Sequence, residues 1–320
     1  MASISVVVPV FNEESNVKKL HEEIKCVCES NQLNYEIIFV DDGSTDNTLE
    51  ICKGLEPLIV IEMRKNFGQT AAMDAGIHYA SGDYIVTMDG DCQNDPADIP
   101  KLITCLEDNG LDVVSGWRKN RQDKFGKKII SRGANLLRTL IVKDHIHDSG
   151  CSLKIYKREC FNGLTLYGEQ HRFIPALLEM RGYNVGEIVV NHRPRLNGQT
   201  KYNWKRTVKG FVDMLSVWFW NRYASRPLHL MGGVGLLFFT VGVICGIWSI
   251  VLFASGYKMS NSIMFPLLAV FFIIMGVIML VFGLISEILM KIYFNTGENE
   301  YQKAYSIKEV FVSESNAQEE

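Results

Sequence analysis

The chain has 320 residues, 47% hydrophobic and 22% charged, with a formal net charge of -3. That length holds one full-sized domain and a further segment. The charge balance excludes the global basic field of a nucleic-acid-binding protein, and the eight cysteines form no Cys-x-x-Cys or Cys/His cluster of zinc spacing.

Ile4–Val8 reads as a buried strand stopped by Pro9, and Asn12–Ser15 as the cap of a helix to about Glu29, with Val17, Leu20, Ile24 and Val27 at helical spacing. Tyr35–Val40 is a second strand, followed by the turn Asp41-Asp42-Gly43-Ser44-Thr45-Asp46 and a helix to about Lys53. Leu58–Met63 is a third strand, Gln69–Ala80 a helix rich in small residues, and Tyr84–Met88 a fourth strand. This alternation predicts an α/β domain with a mostly parallel sheet and covering helices. Ligands of such sheets sit at the carboxyl ends of the strands, where Pro9–Glu13, Asp41-Asp42 and Asp89–Asp91 all fall. The first strand leads into neither Gly-x-Gly-x-x-Gly nor Gly-x4-Gly-Lys-Ser/Thr, which argues against a dinucleotide fold or a P-loop. Further on, Asp98–Asn109 reads as a helix, and Val113–Gly116, Leu153–Tyr156 and Val185–Val190 as strands.

The run Met88-Asp89-Gly90-Asp91-Cys92-Gln93 places two carboxylates one residue apart at a strand end. An Asp-x-Asp alone is weak evidence, because acidic turns are common. Here Asp89, Asp91 and Gln93 all offer oxygen, the donor a hard cation takes, and Mg²⁺ is usually held by one or two carboxylates plus substrate phosphates. Asp95 reads as a cap, with Pro96 in the first turn of the next helix.

Leu230–Tyr257 and Met259–Ser286 contain no Asp, Glu, Lys or Arg. Each exceeds the roughly 20 residues that span a bilayer core. Arg206, Lys209, Arg222 and Arg226 precede the first run, Lys291 follows the second, and only Lys258 lies between them. The positive-inside rule then places both termini in the cytoplasm. Met1–Val10 lacks a basic n-region, so no cleaved signal peptide is expected. Apolar residues at near-helical spacing between Asn203 and Ala224 suit a helix in the membrane interface, or equally one packed on the preceding domain. The tail beyond Asn295 is polar and is expected to be poorly ordered.

The segments VVVPVFNEESN (6–16), VDDGSTDNT (40–48), RKNFGQ (64–69), MDGDCQNDP (88–96), HDSGCSLKIYKRE (147–159) and RLNGQTKY (195–202), in this order and ahead of two spans, resemble the family 2 glycosyltransferases of GT-A fold. More narrowly, they resemble the polyprenyl-phosphate type, such as dolichol-phosphate mannose synthases and bactoprenol glucosyltransferases. The resemblance implies a GT-A catalytic domain (1–203), a juxtamembrane amphipathic helix (204–227), two transmembrane helices with a short outer loop (228–291) and a polar cytoplasmic tail (292–320). It implies an inverting transfer of one hexose-like sugar from a UDP- or GDP-sugar to undecaprenyl or dolichyl phosphate on the cytoplasmic face, with Mg²⁺ or Mn²⁺.

By the same resemblance Pro9, Phe11, Glu13, Asp41 and Asp42 hold the nucleotide base, and Asp89, Asp91 and Gln93 the metal. Arg118, Lys127 and Ser131 match the contacts to the acceptor phosphate, and Arg132 is a further candidate. Arg195 and Lys201 close over the donor phosphates and sugar, and Asp148 matches a position assigned to a base or an acceptor-orienting acid. A phosphomonoester is largely dianionic at neutral pH and needs little help from a base, so Asp148 is expected to orient. Asp148, Arg195 and Asp91 form the expected catalytic set. The expected partners are the donor, the acceptor, membrane lipid and, through Gly232, Gly233, Gly235, Gly242 and Gly246, a second copy of the chain. Two other functions compete. A processive polysaccharide synthase would carry Gln-x-x-Arg-Trp, which is absent, and an idle membrane scaffold would have lost the strand-end acids, which are present.

Overall fold

The computed structural model describes residues 2–119, 146–166, 168–194, 227–256, 263–295 and 307–312. The candidates Lys127, Ser131, Arg132, Arg195 and Lys201, and the helix expected over 204–227 up to residue 226, lie outside the described residues. The chain divides into a unit formed by residues 1–217 with 300–320 and a second unit, 218–299.

The first unit is built on β1 (Ser3–Val10), α1 (Val17–Ser30), β2 (Asn34–Asp41), α2 (Thr48–Lys53), β3 (Ile59–Met63), α3 (Gln69–Tyr79) and β4 (Tyr84–Thr87). It continues with α4 (Ile99–Asp108), β5 (Val113–Trp117), β6 (Lys154–Lys157), α5 (Ile174–Met180) and β7 (Val185–Val189). The sheet order is β7-β5-β6-β4-β1-β2-β3, with β8 (Ile307–Val312) at the far edge. Strands β4, β1, β2 and β3 run parallel, as do β5 and β7, whereas β6 is antiparallel to both β4 and β5.

Both faces of the sheet are covered, which is why β1 and β2 read as continuous apolar runs rather than alternating ones. Val6, Val8 and Phe39 pack with Leu20 and Ile24 of α1 and Leu102 and Leu106 of α4 on one face. Val7, Ile38 and Val40 pack with Ala72, Met73 and Ile77 of α3 and Ile174 and Leu178 of α5 on the other. The small residues of α3 let it lie directly on the strands: a Cβ on Gly76 would come within 2.9 Å of Val40 Cγ2 and closer still to Val7 Cγ1. Gly76→Ala is therefore expected to destabilise this unit by about 1–3 kcal/mol, because overpacking outweighs the roughly 1 kcal/mol gain in helix propensity. Thermal unfolding of the purified protein checks this. Gly54→Ala, where the added carbon meets nothing nearer than Ile51 O at 3.5 Å, is the control.

Two local expectations change. Helix α1 begins at Val17, later than the Asn12–Ser15 cap predicted. Asn12 instead adopts a left-handed conformation (φ 55°) in the loop above β1. The tail is not without structure either. Ile307–Val312 pairs antiparallel with β3, Phe311 joins one core layer, and Ile307 and Val310 join the other. Lys308 Nζ meets Glu62 Oε1 at 2.5 Å, and Lys53 Nζ lies 4.1 Å from the Phe311 ring centroid. Six residues inside a polar tail carry too short an apolar pattern to stand out. Their strand forms because β3 would otherwise be an open edge of unpaired backbone groups.

The second unit pairs α6 (Pro227–Ala254) with α7 (Met264–Asn295). Both are long and apolar enough to cross a membrane, and Leu236, Ile250, Phe253 and Leu267 are each at least 60% exposed. Glycines set their contact: a Cβ on Gly235 would lie 2.8 Å from Gly276 O, and one on Gly242 would lie 2.8 Å from Ile273 N. Gly235 and Gly242, expected to face a second copy, thus serve packing within the pair, as small residues do between membrane helices.

Candidate active site

The order β4-β1-β2 brings three loops together at the carboxyl ends of the central strands. Above β1 and β2 two loops latch onto each other. Asn12 N donates to Ser44 Oγ (2.9 Å), Thr45 N to Asn12 Oδ1 (2.8 Å), Glu13 N to Thr48 Oγ1 (2.8 Å) and Asp42 N to Val10 O (2.9 Å). Gly43 closes this turn at φ 69°, with a virtual Cβ 2.7 Å from Lys65 C, so only glycine fits without displacing the backbone of the 64–68 segment. Pro9 is buried beneath the latch, Glu13 is half-buried, and the Phe11 ring stands 37% exposed at its mouth.

The paired acids divide their work. Asp42 accepts from Phe67 N (2.7 Å) and Gly68 N (2.9 Å), one amide on each oxygen, and so ties the start of α3 to the end of β2. Asp41 accepts from Ser44 N (3.1 Å) through Oδ2, while its buried Oδ1 has no hydrogen-bond partner among the described residues. Burial raises both carboxyl pKa values. The Ser44 contacts oppose this at Asp41, and the two amides oppose it at Asp42.

After β4, Asp89, Asp91 and Gln93 share one tight turn. Gly90 permits it, since a Cβ there would lie 2.9 Å from Val10 Cγ1, and Cys92 completes it at φ 58°, a conformation unusual for a residue with a side chain. Asp89 Oδ1 accepts from Gln69 Nε2 (2.6 Å) at the first position of α3, and Asp91 Oδ1 from Gln93 N (3.2 Å). Burial, and then the Asp91 charge, push the Asp89 carboxyl up, while Arg118 pulls it down. Two neighbouring carboxylates on one turn, with the Asp91 charge adding to the rise at Asp89, fit a divalent cation, which would relieve the repulsion. Among the described residues no group of three or more His, Cys, Asp or Glu side chains could hold a metal by itself.

Beside this turn, Arg118 at the end of β5 grips Asp148. Nε donates to Oδ2 (2.7 Å), Nη2 to Oδ1 (2.9 Å) and the Arg118 amide to Oδ2 (3.3 Å). Asp148 therefore spends both oxygens on one guanidinium, and the fork retains donors on Nη1 for another anion. Beneath them Lys154 Nζ donates to Ser149 O at 3.3 Å. Burial lowers its pKa to about 8, although Cys151, Asp148 and Asp89 pull the other way.

Several contacts around the site were not evident from sequence. Gln69 reaches Asp89, and its neighbour Thr70 pairs with buried His171 (Oγ1 to Nδ1, 2.7 Å). Because Arg172 Nε can only donate, its 3.4 Å contact makes His171 Nε2 an acceptor and places the ring proton on Nδ1. Arg193 N donates to Gln93 O (2.9 Å) and its guanidinium meets Asp95 (2.7 Å), while Asn191 also bonds Asp95 (2.9 Å). The segment leading to Arg195 thus starts from the Asp89–Gln93 turn. Asp95 keeps its predicted capping role as well, accepting from Ala97 N at 3.1 Å. The helical position of Gln69 and the basic residue after β7 were legible, but nothing local indicates that they reach this turn.

A mostly parallel sheet with paired acids at the carboxyl ends of its central strands, and an Asp-x-Asp turn at their centre, defines a GT-A nucleotide-sugar domain. The model of the family described as Glycosyl transferase family 2 matches residues 5–165. The chain is 40% identical over 325 residues to a dodecaprenyl-phosphate galacturonate synthase of Rhizobium johnstonii, covering 98% of this chain and 94% of that relative. It is 33% identical over 296 residues to an undecaprenyl-phosphate 4-deoxy-4-formamido-L-arabinose transferase of Proteus mirabilis, covering 91% and 89%. In fold it is similar to glucosyl-3-phosphoglycerate synthase from Mycobacterium tuberculosis, solved with Mn²⁺ and UDP-glucose. The TM-score is 0.54 at 19% identity, over 68% of this chain and 79% of that one. The chain belongs to glycosyl transferase family 2 and is a glycosyltransferase.

Proposed function

We propose that the protein transfers one hexose-like sugar from a UDP- or GDP-sugar to a polyprenyl phosphate, with inversion, at the cytoplasmic face of a membrane. The observation that carries the acceptor class is the Arg118–Asp148 fork. Asp148, at the position matched to a base or an acceptor-orienting acid, has both oxygens bound to a guanidinium, which supports orientation over proton removal. An acceptor hydroxyl would need its proton removed, whereas a phosphate arrives already anionic and needs only to be aligned. The names of the two relatives, each a transferase or synthase acting on a polyprenyl phosphate, support the same acceptor.

In this mechanism Phe11, Glu13, Asp41 and Asp42 shape the base pocket, and Asp89, Asp91 and Gln93 hold Mg²⁺ or Mn²⁺. Bound there, the cation supplies charge stabilisation to the departing nucleoside diphosphate. Arg118 aligns an acceptor phosphate oxygen against the anomeric carbon. The new carbon–oxygen bond forms as the bond to the diphosphate breaks from the opposite face, and no proton transfer is required. Lys127, Ser131 and Arg132 are proposed to complete the acceptor cradle, and Arg195 and Lys201 the donor side.

The two apolar helices support an anchor that keeps the site near a scarce lipid. The flanking cations Arg206, Lys209, Arg222, Arg226 and Lys291 support a cytoplasmic catalytic unit. Cys26 is exposed on α1. In intact cells a membrane-impermeant maleimide should leave Cys26 unlabelled, and after lysis it should label it. Labelling before lysis would reverse the orientation.

The reaction is tested with purified protein in detergent, a panel of radiolabelled UDP- and GDP-sugars, undecaprenyl or dolichyl phosphate, and Mg²⁺ or Mn²⁺. A metal-dependent product that extracts into organic solvent is expected. A water-soluble polymer would instead indicate a processive synthase.

A further inference from the structure

Lys154 is buried (2% exposed) on β6, the strand between β4 and β5. In the ladder it stands opposite Thr87 of β4 and Ser115 of β5. Thr87 precedes Asp89 by two residues, and Ser115 precedes Arg118 by three. One ammonium thus lies between the strand that delivers the metal turn and the strand that delivers the acceptor-side guanidinium. It donates to Ser149 O at 3.3 Å, in the turn that carries Asp148. Asp148, Asp89 and Arg118 are all within its electrostatic reach. Lysine is almost never fully buried unless it is paired, and an apolar side chain of similar volume would avoid the desolvation cost. None of the roles assigned above uses this charge.

We propose that Lys154 is a positioning residue of the transfer site. Its buried ammonium holds the 147–151 turn from below and offsets the Asp148 and Asp89 carboxylates, so that the Arg118–Asp148 fork keeps its aim when two anionic substrates enter. The proposal rests on transfer to a lipid phosphate. It has a signature that a purely structural lysine lacks. Removing the charge weakens the hold on the anionic acceptor but removes a competitor for the field of Asp89, so metal binding at that turn does not weaken.

The experiment compares parent, Lys154→Met and Lys154→Arg in detergent. It reads the KM for polyprenyl phosphate, kcat, and Mn²⁺ binding in the presence of UDP or GDP by electron paramagnetic resonance. For Lys154→Met the expected result is an acceptor KM raised by about tenfold, the scale of one lost positioning contact, with Mn²⁺ bound at least as tightly as by the parent. Lys154→Arg should recover most of the acceptor KM. A parent-like acceptor KM in Lys154→Met overturns the proposal, as does a parallel loss of acceptor and Mn²⁺ binding. If Lys154→Met does not fold, Lys154→Gln replaces it, keeping a donor to Ser149 O without the charge, and a parent-like acceptor KM again overturns the proposal. Absence of lipid-phosphate transfer by the parent would instead remove the functional proposal beneath it.

Discussion

Asp91→Asn is expected to lower sugar transfer by about 10²–10³-fold, the scale on which loss of one preorganised electrostatic stabiliser is felt. Asn keeps an oxygen that can accept from Gln93 N, so the turn remains formed while one of its two carboxylate charges is lost. The loss should appear both in kcat and in Mn²⁺ binding measured with the nucleoside diphosphate, since Asp89 and Asp91 are proposed to share one cation. Unfolding temperature should change little, because the substitution relieves repulsion between two neighbouring acids. Parent-like metal binding in a folded Asp91→Asn protein would place the metal elsewhere.

Arg118→Met and Asp148→Asn separate a cationic cradle from a general base. Losing a charge-assisted contact to a phosphate costs about 10–100-fold, so Arg118→Met should raise the acceptor KM on that scale. Asp148→Asn keeps one acceptor for the guanidinium and should cost about tenfold, chiefly in acceptor KM, with the pH profile of kcat unchanged. A base would behave differently, because its loss would collapse kcat and erase the acidic limb of the profile. That outcome would return Asp148 to proton abstraction and would favour a hydroxyl acceptor over a phosphate.

The parts of this protein carried by local pattern were legible from its residues. The β-α-β alternation, the acids at the ends of β2 and β4, the cap at Asp95 and both membrane-length helices follow from apolar periodicity and turn chemistry within short windows. The partners of the acids were not legible in this way. That Asp42 would meet the amides of Phe67 and Gly68, that Asp148 would be spent on Arg118, and that Gln69 would reach Asp89 are contacts across 20 to 30 residues, fixed by strand order. Strand β8 was missed for the same reason, since its apolar residues have meaning only beside the open edge of β3.

The amino-acid sequence by itself determined the alternating α/β unit, the paired acids at its strand ends and the two apolar spans, because each depends on side-chain periodicity or on turns encoded within a few residues. Only the tertiary structure decided what those acids do to one another. Inserting β6 antiparallel between β4 and β5 sets Asp89, Lys154, Asp148 and Arg118 within electrostatic reach. Their charges act through space and burial, which no single segment of the chain encodes.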